Sequence, residues 1–220
     1  MSAEPLNSAL LSTASPWGIP VQVLNEITST NDELLRRGEE GAPSGTLLFA
    51  ESQTAGRGRF RRPWSSAPGL GLWFSLLLRM GINDASVPAL SAFAAVALIS
   101  ALRSLGATDA GIKEPNDVLI GGLKVAGILV ETRVGSDPFA VVGIGLNVNH
   151  TPEDFPPELR ERATSIAIAT GTRHNLTEAA LPLLSELGHC GILMREKPEE
   201  LLKRWRSMLL PVPAVRYCDK

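Results

Sequence analysis

Hydrophobic positions along the chain follow two rhythms. Residues 21–24, 46–50, 72–80 and 139–148 are short, β-prone apolar runs bounded by polar or Gly/Pro-rich stretches, and they read as strands. Residues 118–120 and 123–132 are two further runs joined by Gly121 and Gly122, the two-residue connection of a β-hairpin. Residues 87–105 differ: one long apolar run, closed by Gly106 where a helix C-cap is expected. A helix is also predicted from Thr30, which forms a capping-box pattern with Glu33, to about Arg37. Two more are predicted over residues 176–194 and 199–208. Residues 1–20, rich in Ser, Ala and Pro and without periodicity, read as a loose leader. Residues 152–163 read as a Pro/Glu-rich connection.

Hairpin-linked strands with helices at intervals, rather than strict strand–helix alternation, predict an α+β fold: a mixed, largely antiparallel β-sheet flanked by helices. No repeat of 20–50 residues is present. At 220 residues the chain has room for one large domain, here residues 21–208, plus a small appendage over 209–220.

Composition narrows the functional classes. Hydrophobic residues are 44% and charged residues 20%, so the chain resembles neither a disordered nor a fibrous protein. Lys plus Arg number 21 and Asp plus Glu 23, a net charge of −2 that gives no reason to expect a polyanion or a membrane as a whole-surface partner. Cys190 and Cys218 lack C-x-x-C spacing, and a reducing cytoplasm is the simplest compartment. Pro88, Ser91 and Ser100 interrupt the apolar run at 87–102, which is expected to be a buried core helix rather than a membrane span.

Four segments carry candidate chemistry. Residues 53–64 combine Gly56 and Gly58, which admit close approach of a ligand, with Arg57, Arg59, Arg61 and Arg62, whose guanidinium forks suit carboxylate or phosphate. Arg61 stands where a dinucleotide fingerprint needs its third glycine, and no P-loop Lys-Ser/Thr follows. A solvated basic turn or a flexible RNA-binding segment fits the same residues. Lys124 opens an apolar strand, sharing a face with Ala126, Ile128 and Val130, and needs either an anionic partner or an exit to solvent. Gly127 in that strand predicts a close neighbour against the backbone. Residues 113–117 and 143–149 read by themselves as turn chemistry and a strand end. His150, His174 and His189 have no metal-ligand spacing, no nucleophile elbow exists, and no metal-ligating set is expected.

In this order and spacing the segments resemble the biotin protein ligases. The residues that carry the resemblance are 28–31 (Thr28, Ser29, Thr30, Asn31), 53–59, 113–117, 124–131 and 143–149. The resemblance implies a catalytic domain over 21–208 with a fold like class II aminoacyl-tRNA synthetases and lipoate ligases. It implies activation of biotin with MgATP to biotinyl-5′-AMP, followed by transfer to a lysine of a biotin carrier domain of an acetyl-CoA carboxylase or related enzyme. Ser29, Thr30, Asn31, Gln53, Arg57, Gly58, Arg59, Lys124 and Gly127 would meet biotin. Arg57, Arg62, Trp64, Lys113, Asn116, Asp117, Lys124 and Asn147 would face the nucleotide, with Arg59 and Lys124 catalytic. Three departures stand out. Glu114 occupies a position where members usually have Trp. Only about 20 residues precede the pattern, so no DNA-binding helix-turn-helix or repressor role is expected. The end of the chain matches only the first strand of the family's C-terminal SH3-like domain, a stub that is truncated or lost. A homodimer is left open. A lipoate or octanoate ligase, and a non-catalytic biotin-, adenylate- or RNA-binding module, are the alternatives.

Overall fold

The computed structural model describes residues 4–81 and 86–211. Most of the expected appendage, with Cys218, lies outside them. Among the described residues the apolar runs form one seven-stranded sheet built from β1 (Gln22–Ile27), β2 (Leu47–Gln53), β3 (Gly71–Arg79), β4 (Gly111–Lys113), β5 (Asp117–Ile120), β6 (Leu123–Arg133) and β7 (Phe139–Asn147). Their order is β1-β2-β3-β7-β6-β5-β4. Only β1 and β2 are parallel, and the other neighbours pair antiparallel. This is the mixed, largely antiparallel α+β sheet that the patterning predicts. The β5–β6 hairpin turns through Gly121 and Gly122, with φ of 57° and 82°, the left-handed pair that a type I′ turn needs.

The central strands bury both faces. On one side Leu72, Phe74, Leu76, Ala140, Val142, Ile144, Ala126 and Ile128 pack against the long helix α3 (Ser86–Ser104), with α5 (Leu176–Glu196) and α6 (Pro198–Ser207) outside it. Although α3 is long and apolar enough to cross a membrane, it is mostly buried as the core helix. On the other side α2 (Thr30–Glu39) lays Leu34 and Leu35 over Leu48, Leu77, Phe139 and Val141. Gly38 permits that approach, because a Cβ there would stand 2.3 Å from the Phe139 ring.

The structure departs from expectation at several places. The segment read as a loose leader holds α1 (Ser8–Ala14), capped by the Asn7 side chain, with Leu11 fully buried. The backbone N–H of Asn7 also donates to Thr177 Oγ1 at 2.9 Å, tying the segment to α5. The cap of α2 is Ser29, not Thr30: Ser29 Oγ accepts from the Asp32 N–H, and Thr30 is already helical. Strand β4 and the short helix α4 (Ile166–Thr170) were not expected.

The strand parity assumed around Lys124 is also broken. Val118 pairs with Ala126 but Leu119 pairs with Lys124, so β6 carries one extra residue, Val125, in a β-bulge. The bulge takes Lys124 off the face of Ala126 and Ile128 and turns it toward Gly127, whose added Cβ would lie 3.3 Å from Lys124 Nζ.

Candidate functional site

On the α2 side, beyond the end of that helix, the sheet surface is stripped of bulk. Ser75 lies opposite Gly143, Trp73 opposite Gly145, and Gly145 opposite Gly127. A Cβ on Gly143 would stand 2.1 Å from Asn31 Oδ1, and one on Gly145 would stand 2.5 Å from the Trp64 indole. These glycines let side chains from α2 and the arginine segment lie directly on the sheet backbone. The result is a cleft of about 890 Å³. Each residue assigned to biotin or nucleotide by the resemblance lines it: Ser29, Thr30, Asn31, Gln53, Arg57, Gly58, Arg59, Arg62, Trp64, Lys113, Asn116, Asp117, Lys124, Gly127 and Asn147, whereas Gly56 and Arg61 of the same segment do not. Glu114 is exposed and outside that lining.

The cationic side chains differ in how they are held. Lys124 has an anionic partner, Asp117, with Nζ 2.6 Å from Oδ1, and sits 5.1 Å from the centroid of the Trp64 ring. Its backbone is stitched as well: Lys124 N–H donates to Arg162 O and Thr164 N–H to Lys124 O, each at 2.8 Å. Arg57 is not a free anion hook. It grips Asp32 through two bonds of 2.5 and 2.7 Å and reaches both oxygens of Glu131 at 3.0 Å, and these contacts, Asp32 first, hold its pKa well above the ordinary arginine value. Arg59, Arg61 and Arg62 are exposed. Phe60 at the tip is 81% exposed, and Phe60 and Arg61 have φ of 57° and 55°, a left-handed pair of non-glycine residues. The segment is therefore anchored at Arg57 and open beyond it.

Several residues expected toward the nucleotide also brace the wall. Asn116 Nδ2 donates to Ile128 O at 2.9 Å, and Asn147 Nδ2 donates to Thr164 O at 3.0 Å. Asn149 closes a two-way amide clasp on His174. Sequence reasoning missed Asp32, Ser75, Glu131 and His150. Ser75 had a signal, as a lone hydroxyl inside the apolar run of β3. His150 lines the cleft, stacks on Phe155 with ring centroids 4.7 Å apart, and has a buried Nδ1 with no partner among the described residues. Burial lowers its pKa to about 4, against a smaller opposing pull from Asp154, so the ring is neutral at pH 7.

A glycine-floored cleft with Lys124 at one wall and exposed arginines over its mouth can hold two anions close together and cover them. Comparison with known proteins identifies the setting. A sequence model of the biotin/lipoate A/B protein ligase family matches residues 23–149. The chain belongs to this family. Within it, the chain is 43% identical over 166 residues to the bifunctional ligase/repressor BirA of Bacillus subtilis, covering 71% of this chain and 51% of that protein. It is 34% identical over 221 residues to the biotin–[acetyl-CoA-carboxylase] ligase of Mycobacterium tuberculosis, covering 96% of this chain and 79% of that one. The chain thus spans about half the length of the Bacillus relative. Among solved structures, the Aquifex aeolicus biotin protein ligase in complex with biotin and ATP superposes with a TM-score of 0.73 at 31% identity, covering 86% of this chain and 78% of that one. The sheet and its flanking helices are those of the family's class II synthetase-like fold.

Proposed function

We propose that this chain is a biotin protein ligase that makes biotinyl-5′-AMP from biotin and ATP and passes the biotinyl group to a lysine of a carboxylase carrier domain. The observation that carries the reading is the convergence of Lys124, the arginine segment and the Gly127–Gly145 floor on one cleft in a chain of this family. Ser29, Thr30, Asn31 and Gln53 line the biotin end, with Gly127 leaving room for Trp64 and Lys124 to lie close on the sheet beside the ligand. Lys113, Asn116, Asp117, Asn147, Arg62 and Trp64 face the nucleotide end.

In the first step a biotin carboxylate oxygen attacks the α-phosphorus of ATP, and pyrophosphate leaves. Both reactants are anions, and negative charge builds on the transferring phosphoryl group. Lys124 and Arg59 stabilise it, and Lys124 reaches both halves of the new anhydride. The arginine segment then closes over the adenylate and keeps water from the acyl carbonyl. In the second step the carrier lysine amine attacks that carbonyl, AMP leaves, and the amine proton is lost to solvent. Magnesium would arrive on the ATP phosphates, given this ion's usual preference for substrate phosphates and water. A carboxylase carrier as partner and a cytoplasmic setting belong to the same proposal.

ATP–pyrophosphate exchange measured with biotin and with lipoate in parallel tests the reading. Exchange with biotin, followed by label transfer to a carrier domain, is expected. Exchange with lipoate or octanoate alone moves the chain to the lipoate branch of the family. Tight biotin binding without exchange makes it a binding module.

A further inference from the structure

The arginine segment is tied at both ends to one buried chain of hydrogen bonds. At the far end Gln53 Nε2 donates to Ser66 Oγ at 2.9 Å, and Gln53 Oε1 accepts from Thr30 N–H at 2.9 Å. Ser75 Oγ lies 2.8 Å from Thr30 Oγ1 and donates to Asn31 Oδ1 at 2.6 Å. Asn31 Nδ2 then donates to Glu131 Oε2 at 2.8 Å, and Glu131 holds Arg57 Nη2. Thr30, Asn31 and Ser75 are buried, so each link stands in a setting where an unmet partner is costly.

We infer that Glu131, on β6 just outside the cleft lining, is a positioning residue that sets Arg57 and, through Asn31, couples the cleft floor to the arginine segment. Asp32 also grips Arg57, but its side chain is 51% exposed and screened, whereas that of Glu131 is 28% exposed and rides on a central strand of the sheet. Of the two anchors, Glu131 is therefore the rigid one. A ligand that takes hydrogen bonds from Thr30 or Asn31 changes what Asn31 offers Glu131, and so changes how tightly Glu131 holds Arg57. The role of Glu131 in catalysis rests on the proposed biotin-activating reading; its hold on Arg57 does not.

The test uses the full chain with Glu131→Gln, Arg57→Ala and the double variant. Gln keeps an oxygen for Asn31 and removes only the charge that Arg57 needs. Without any substrate, Glu131→Gln is expected to speed amide hydrogen exchange in residues 57–62 about tenfold, the ratio for loss of roughly one charge-assisted hydrogen bond, with α3 unchanged. In biotin-dependent pyrophosphate exchange, the KM for biotin is expected to rise about tenfold with kcat within about twofold, because binding rather than chemistry is lost. In the Arg57→Ala background the same Glu131→Gln change is expected to add nothing, since the effect runs through Arg57. Unchanged loop exchange, or full additivity in the double variant, overturns the inference. If the parent protein shows no biotin-dependent exchange, the functional reading fails on its own, and hydrogen exchange still decides whether Glu131 anchors Arg57.

Discussion

The three central strands β3, β7 and β6 present two faces of opposite character. On the α3 side the alternate residues are Leu72, Phe74, Leu76, then Ala140, Val142, Ile144, then Ala126, Ile128, all buried in the main core. On the other side, in the same rows, stand Trp73, Ser75, Gly143, Gly145, Gly127 and Glu131. The backbone geometry is common to both, and side-chain alternation is what separates them. One face is filled with aliphatic and aromatic groups, each large one worth about 1.5–3 kcal/mol when buried. The other is filled only where Leu77, Phe139 and Val141 lie under α2, and beyond them Gly127, Gly143 and Gly145 empty it, so that polar side chains from α2 and the arginine segment reach the sheet. Stability and chemistry are thus written on alternate residues of one ribbon, and substitutions one position apart should fail in different ways.

The sharpest contrast sets Leu76→Ala against Lys124→Ala. Leu76 is fully buried on the core face, and truncating it should remove about 2–5 kcal/mol in urea melts, while the molecules that remain folded exchange pyrophosphate as before. Lys124→Ala should do the reverse: a fall of about 100- to 1000-fold in biotin-dependent exchange, as for loss of one group aimed at developing charge, with little change in the melt. A normal exchange rate in the lysine variant removes Lys124 from the mechanism. A large stability loss there would merge the two faces into one.

The contrast also marks what could be read from residues alone. The β5–β6 hairpin and the core helix α3 were legible because a Gly-Gly turn and a nineteen-residue apolar run leave few alternatives. Helix α1 was not, since seven residues with one buried leucine are too short for a period to emerge. β4, with three residues, has the same problem. In the site, the glycine- and arginine-bearing segments gave the cleft its members but not its wiring. The bulge at Val125 reverses strand parity, so alternation alone put Lys124 on the wrong face. Arg57 and Glu131 are 74 residues apart, and no local spacing announces their contact. The spacing to Glu33 points to Thr30 as the cap of α2, whereas Ser29 caps it, because which residue leaves the helix turns on a backbone angle that composition does not specify.

His150, three residues past the end of β7, gives a third and smaller effect. It is buried and neutral, with its pKa lowered to about 4 from an ordinary value of 6.5. The unfolded chain therefore takes up this proton first as the solution is acidified. Its contribution is fully present above about pH 6.5, declines as the pH falls, and has levelled off below pH 4, a loss of up to about 3 kcal/mol. Urea melts at pH 7, 5.5 and 4.5 should show this slope in the parent protein, and His150→Phe should flatten it in that window. An equal slope in both proteins would assign the acid sensitivity elsewhere.

The smallest effect separates two neighbouring hydroxyls at the start of α2, where the helix meets the cleft. Ser29 Oγ accepts from the Asp32 N–H and caps the helix, while Thr30 Oγ1 points into the buried chain with Gln53 and Ser75. Ser29→Ala should cost about 1 kcal/mol of stability, the usual value of an N-cap, and Ser29→Asp should restore most of it because a carboxylate also suits the positive end of the helix. Thr30→Ser keeps the hydroxyl and removes a methyl, so it should leave the hydrogen-bond chain and the cap intact. If Thr30→Ser and Ser29→Ala lowered the melting point equally, the division between a Ser29 that caps the helix and a Thr30 that links the buried chain would be wrong, and the two hydroxyls would carry the same structural load.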